Sequence, residues 1–297
     1  MTGAGARGQD APTSGGLVLV ATPIGNLGDL APRAVEALAG ATVIAAEDTR
    51  RTRALLSHAG VSLSSSRLVA LHGHNEADMS ARLVAEMEAG ARVAYVTDAG
   101  MPGISDPGER LVRAALERGL PVEAVPGPSA ALTALVISGL PTSRFVFEGF
   151  LPRKGSERAA RLAALATEER TTVIFESPRR LAATLGDLAA ALGPERPVAV
   201  ARELTKMFET VWRGTLGEAA AGGPEPRGEQ AIVIGPAAPR PEPGDDEVVD
   251  ALRRELAGGA TKRDAASAVA RRLGVSRRRA YELATTFPSG GRGGGAV

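Results

Sequence analysis

Residues 17–30 read LVLVATPIGNLGDL, an apolar β-rich run that stops at a Pro and Gly turn, and residues 31–39 (APRAVEALA) then suit a helix. Apolar runs of the same kind recur at 42–46, 68–71, 93–96 and 122–125, with Ala-, Leu- and Glu-rich segments such as 80–89 and 109–118 between them. Strands that alternate with helices predict a parallel sheet with helices on its faces. After Pro141 the runs 144–147, 171–175, 198–201, 208–214 and 230–234 follow with fewer helices, and 208–216 suits hairpin pairing. The fold class predicted is α/β, with two α/β domains, a parallel sheet first and a mixed sheet second.

The same reading sets boundaries. Residues 1–16 are small and polar and are expected to be a disordered N-terminal extension, followed by α/β domains at 17–140 and 141–235. A Pro-rich linker is expected at 236–245, a small helical module at 246–287 and a Gly-rich disordered tail at 288–297.

Composition excludes several chemistries. With no Cys there is no disulfide framework, cysteine-ligated zinc, iron–sulfur cluster or thiol nucleophile, and three His leave little for a metal site. No metal is expected. Residues 1–16 lack the apolar core of a signal peptide, and the stretch 129–140 is too short to span a bilayer, so no membrane and a cytoplasmic location are expected. The net charge of +1 conceals its distribution: residues 261–287 carry seven Lys and Arg against Asp264 and Glu282, a net +5 that leaves −4 for the rest.

In an open parallel sheet, ligands bind beyond the carboxyl ends of the strands. Each run of the first domain feeds a distinctive segment there: TPIGN (22–26), EDTRR (47–51), HGHNE (72–76), DAGMPGISDPG (98–108) and PGPSA (126–130). Any one could be an ordinary loop, since Gly, Pro and Asp form turns anyway. Five on one rim strain that explanation. None has the spacing of a dinucleotide fingerprint or a phosphate-binding P-loop.

The ordered set ATPIGNLGD (21–29), AEDTRRTRALLSHAG (46–60), HNE (74–76), TDAGMPGISDPG (97–108), PGPSA (126–130), FVFEGFLPRKG (145–155), FESPRRL (175–181) and ARELTK (201–206) resembles the ribosomal RNA small subunit methyltransferase I family, within the tetrapyrrole-methylase superfamily. The resemblance implies S-adenosylmethionine between the two α/β domains, and usually a homodimer. It further implies methylation of the ribose 2′-hydroxyl of a cytidine in the decoding region of 16S rRNA in the small ribosomal subunit. By position it puts Pro23, Asp98, Gly100, Met101, Pro102, Ile104, Ser129, Ala130, Phe175 and Ala231 around the cofactor.

Such a transfer needs in-line positioning and gains from a base near the weakly acidic hydroxyl. Asp48, His74 and Glu76 are the candidate catalytic residues. Asp48 equally suits a helix N-cap before Thr49; His72 and His74, two apart, would share a face on an extended strand; Glu76 could cap a helix or pair with Arg82. Arg50, Arg51 and Arg53, with Arg153, Lys154 and Arg158, form two basic clusters suited to gripping RNA phosphates.

Residues 261–287 read as two helices about a turn at Gly274, resembling a helix-turn-helix with Arg277, Arg278 and Arg279 opening its second helix as RNA contacts. That feature keeps open a DNA-binding regulator with a small-molecule-sensing body. A corrin or siroheme-pathway methylase is the other alternative.

Overall fold

In the computed structural model of the chain, which describes residues 15–63, 67–238 and 243–287, the first domain has strands β1 (Gly16–Val20), β2 (Val43–Ala46), β3 (Arg67–Ala70), β4 (Arg92–Val96) and β5 (Val122–Val125). Helices α1 (Pro32–Ala39), α2 (Thr49–His58), α3 (Glu76–Glu88) and α4 (Glu109–Glu117) connect them, and α5 (Ala130–Ile137) leaves the sheet. All pairings are parallel, in the order β3-β2-β4-β1-β5. Alternation decides the packing. Val18 and Val20, Ile44 and Ala46, and Ala94 and Val96 join the core on one face, while Leu17, Val43 and Ala45, and Val93 and Tyr95 join that on the other. A sheet buried on both faces accounts for the near-continuous apolar runs that the sequence shows.

The helix starts follow local chemistry. Pro32 opens α1, where its missing N–H costs no hydrogen bond, and the Asp48 carboxylate caps α2 by accepting from the Arg50 and Arg51 amides at 2.8 and 3.4 Å. Helix α3 begins at Glu76, four residues before the expected 80, and β1 begins at Gly16, inside the stretch expected to be an extension. Residues 1–14 and 288–297, expected to be disordered, lie outside the described residues, as do 239–242 of the Pro-rich stretch.

The second domain contains β6 (Phe145–Phe150), β7 (Thr171–Glu176), β8 (Pro197–Arg202), β9 (Thr210–Thr215) and β10 (Gln230–Ile234), with α6 (Gly155–Ala166), α7 (Leu181–Leu192) and α8 (Leu216–Ala220). Its order is β6-β7-β10-β8-β9; β6 and β7 are parallel and the other pairs antiparallel, so the sheet is mixed. One face, with Ile174, Val198, Val200, Ile232 and Ile234, packs on α7 and α8. The other, with Val173, Ala199, Ala201, Ala231 and Val233, packs against α5 and Ile24 of the first domain. That apolar seam makes one compact unit of the described residues up to Ala237.

From Ala238 onward a second unit holds α9 (Asp245–Ala257), α10 (Lys262–Leu273) and α11 (Arg277–Thr285). Its core is small side chains, Ala251, Ala265, Ala266, Ala280 and Ala284 around Val248, Leu252 and Val269. Thr261 and Ser276 cap α10 and α11, and Gly274 ends α10 in the left-handed conformation at φ 71°. Helix α9 starts at Asp245, within the stretch expected to be linker. No helix among the described residues is long and apolar enough to cross a membrane.

Candidate active site

A cavity of about 320 Å3 opens at the carboxyl ends of β4, β1 and β5 and is closed by the second domain. Ile24 follows β1; Ala99, Gly100, Met101, Ile104, Ser105 and Asp106 follow β4; Ser129 and Ala130 follow β5. From the second domain come Phe150 at the end of β6, Phe175 to Pro178 at and just past the end of β7, Ala201 and Leu204 around the end of β8, and Glu229 to Ala231. Residues at the start of β10 reach the same rim because that strand runs antiparallel to β7 and β8.

Strand order explains which loops take part. In β3-β2-β4-β1-β5 the three contributing strands are neighbours, whereas β2 and β3 lie to one side, so the EDTRR and HGHNE turns do not reach the wall. The contributing loops are stitched together. Thr22 N donates to Gly100 O at 2.9 Å and Gly100 N to Thr22 O at 3.0 Å, while the buried Thr22 hydroxyl donates to Thr97 O at 3.1 Å. Gly100 sits at φ 83°, a conformation that a Cβ disfavours. From the second domain, Thr205 Oγ1 accepts from Asn26 N at 3.1 Å.

Of the residues expected at the cofactor, Gly100, Met101, Ile104, Ser129, Ala130, Phe175 and Ala231 line the cavity. Pro23, Asp98 and Pro102 do not. Pro23 and Pro102 are buried beside it, and Asp98 pairs with Arg51 at 3.1 Å while its other oxygen, Oδ1, is buried without a hydrogen-bond partner. Ser129 also caps α5, accepting from Leu132 N. Of the wall residues missing from the sequence reading, Ile24, Ala99, Ser105, Asp106, Phe150, Glu176 to Pro178, Ala201 and Leu204 lie inside quoted segments, whereas Glu229 lies in none and Gln230 opens the run 230–234. Adjacency to the chosen positions was the available signal.

The candidate bases fare differently. Asp48 caps α2 and is paired with Arg50 at 3.2 Å; the bonds from the Arg50 side chain and amide hold its carboxyl below the usual range. Glu76 does not pair with Arg82: its Oε1 accepts from the amides of Gly108 at 2.8 Å and Arg110 at 3.1 Å, so it caps the start of α4. His72 and His74 lie in the turn after β3, not on an extended strand, with rings edge-on and centroids 6.0 Å apart. None of the three lines the cavity, and no group of three His, Cys, Asp or Glu among the described residues could hold a metal.

Among the basic residues, Arg50, Arg51 and Arg53 on α2 are exposed, as are Arg153 and Lys154 before α6. Arg158 is a correction. It is buried and bonds Asp187, Pro152 O and the Thr184 hydroxyl, so it ties α6 to α7 and has no free guanidinium for a phosphate. In the helical unit Arg277 and Arg278 are exposed, whereas Arg279 reaches Asp245 and Pro243 O and anchors the start of α9.

Among the described residues no Lys or Arg lines the cavity, which opposes a polyphosphate ligand. Three carboxylate residues do line it. Glu176 is matched by Arg180 at 3.2 Å and Glu229 by Lys206 at 2.9 Å, which leaves Asp106 without a cation. Burial, then the Glu47 charge, push the Asp106 carboxyl up to about 6. Phe150 and Phe175, centroids 5.8 Å apart, add aromatic faces to an otherwise small and apolar wall. An uncompensated negative charge, flat apolar surfaces and a volume within the usual range for ligand pockets fit S-adenosylmethionine, whose sulfonium and amino groups are positive and whose adenine is flat.

Fold and cavity together define an α/β methylase: residues 16–220 match the family model described as Tetrapyrrole (Corrin/Porphyrin) Methylases. A uroporphyrin-III C-methyltransferase from Thermus thermophilus, solved as a complex with S-adenosylhomocysteine, shares that fold at a TM-score of 0.53 and 24% identity, over 74% of this chain and 97% of the related one. Two proteins named ribosomal RNA small subunit methyltransferase I are far more similar. The one from Synechocystis is 47% identical over 93% of this chain and 99% of its own length, and that from Mycobacterium tuberculosis 48% over 91% and 94%. The chain belongs to the ribosomal RNA small subunit methyltransferase I family.

Proposed function

We propose that this protein transfers the methyl group of S-adenosylmethionine to the ribose 2′-hydroxyl of a cytidine in the decoding region of small-subunit rRNA. The observation that carries the proposal is near end-to-end identity of 47–48% with proteins named for methylation of that RNA. The cation-free cavity with its unmatched Asp106 supports the donor.

When bound, the donor supplies a methyl group already activated by sulfonium charge. The chain's task is placement. Gly100, Ser129 and Ala130 on the wall would bring backbone close to the donor, and Phe150 and Phe175 would offer faces to its flat base. Holding the two reactants in attack geometry contributes about 7–11 kcal/mol to the lowering of the barrier. Arg50, Arg51, Arg53, Arg153 and Lys154 are assigned to phosphates, and Arg277 and Arg278 give the helical unit a positive helix start for the same partner. Arg51 is engaged by Asp98 in this structure.

A homodimer acting in the cytoplasm belongs to the same proposal. Leu132 and Val136, four apart on α5 and 49% and 66% exposed, give it an apolar face suited to a second copy. The test is methyl transfer from labelled donor to assembled small subunits, naked small-subunit rRNA and duplex DNA. Label in small-subunit rRNA supports the proposal. Salt-dependent DNA binding without methyl transfer would support a regulator, and transfer to a tetrapyrrole alone a pigment-pathway methylase.

A further inference from the structure

Asp106 lines two cavities. One is the donor cavity, which it shares with Ile104 and Ser105. The other is an adjoining cavity of about 500 Å3 whose remaining walls are Glu76, Pro107, Glu109, Arg110 and Arg113. Among the described residues it is the one common to both walls. Among the described residues the donor cavity has no Lys or Arg, whereas the second has Arg110 on α4, suited to the phosphate beside a ribose, and Arg113, which pairs with Glu109. We propose that Asp106 is the base of the reaction, standing where the donor cavity meets the acceptor cavity and taking the proton of the ribose 2′-hydroxyl as the methyl group is transferred.

Backbone geometry singles out the same place. Ser105, immediately before Asp106, is held at φ 62°, in the left-handed region that a residue other than glycine seldom adopts. Strain of this kind persists where surrounding structure enforces it and clusters at functional sites. Here β6 leans on the turn, a register shift between Phe147 and Gly149 bringing Gly149 close to the Ser105 hydroxyl.

The charged surroundings are unequal. Glu47 at the end of β2 and Asp98 at the end of β4 act on Asp106, and Arg51 from α2 is spent on Asp98. Glu76 is spent on the start of α4, and Arg113 pairs with Glu109. Tyr95, whose hydroxyl donates to Pro107 O at 3.0 Å, stays protonated because burial and the nearby carboxylates push it up. A carboxyl at about 6 is largely ionised at neutral pH and is a stronger base than an ordinary aspartate.

In the step, the ribose oxygen bonds to the methyl carbon, the carbon–sulfur bond breaks with its electron pair left on sulfur, and the hydroxyl proton passes to the Asp106 carboxylate. Asp106 then releases that proton to solvent. The role rests on the proposed 2′-O-methyl transfer.

The test compares wild type with Asp106→Asn in the full chain. Calorimetry gives the affinity for S-adenosylmethionine, and single-turnover transfer to unmodified small subunits is followed from about pH 5 to pH 9. The expected result is a donor affinity lowered by no more than about tenfold, because one negative charge on its wall is lost, a rate at saturating donor at least about 100-fold lower, and loss of the acidic limb that wild type shows near pH 6. A rate within about threefold of wild type overturns the role, as does a fall in affinity that matches the fall in rate. If Asp106→Asn does not fold, the wild-type profile decides, since absence of a limb near pH 6 overturns the role. Failure of wild type to methylate the subunits removes the proposed function and this role together, whereas an active wild type matched by Asp106→Asn removes the role alone.

Discussion

Replacing Gly100 by Ala tests whether the turn after β4 shapes the donor cavity. At φ 83° the added Cβ costs about 1–2 kcal/mol in backbone strain, while its nearest neighbours, Ile24 Cγ2 at 3.4 Å and Pro128 O at 3.5 Å, leave ordinary contact distances. A body of this size loses roughly 2–4 °C per kcal/mol, so the midpoint of thermal unfolding should fall by roughly 2–8 °C. Relief of the strain by rotation would break the paired Thr22 and Gly100 hydrogen bonds and shift the wall between Ile24 and Met101. Affinity for S-adenosylmethionine should fall about tenfold or more, equivalent to about 1.4 kcal/mol. Gly103→Ala is the control. Gly103 has nearly the same φ, 82°, but open space around its Cβ position and no place on the wall, so it should lower the midpoint similarly and leave affinity within about threefold. Calorimetric titration and thermal unfolding of both variants give the answer. Unchanged affinity in Gly100→Ala, or equal losses in both variants, would refute the reasoning.

Asp48→Ala removes the cap of α2 and should lower the unfolding midpoint slightly, with donor affinity unchanged by titration because Asp48 does not line the cavity. Asp106 binds its proton more tightly folded than unfolded, so its contribution is present below the ordinary value of 3.8 and is lost as pH rises through about 6. Thermal unfolding of Asp106→Asn should therefore match wild type near pH 4 and exceed it at pH 7.5. Arg279→Ala should loosen the helical unit by freeing Asp245 and Pro243 O, detectable as faster amide exchange in α9, whereas Arg278→Ala should leave exchange unchanged and weaken binding to small subunits.

Much of the architecture was legible because burial on both faces writes a parallel strand as an apolar run, and because Asp48, Ser129, Thr261 and Ser276 are cap residues placed just before their helices. The order of the strands was not. Parallel connections carry no local mark of which neighbour a strand joins, so the loops after β2 and β3 looked equal to those after β1, β4 and β5. The placement of Asp48, His74 and Glu76 away from the cavity follows from that order. The share supplied by Glu229 and Gln230 depends on the antiparallel direction of β10, which only pairing reveals. Asp106 stood in plain view within SDPG, but its significance comes from two adjoining cavities and a strained Ser105, neither of which the sequence records.

The central claim is methylation of a cytidine ribose in small-subunit rRNA, and the most direct measurement is mass spectrometry of its nucleosides. Unmodified small subunits would be treated with the full chain and S-adenosylmethionine bearing a trideuterated methyl group, and the RNA digested. The account predicts the heavy methyl on the ribose of a single cytidine of the decoding region. Heavy methyl on a base, on ribosomal protein or nowhere in the subunit would contradict it.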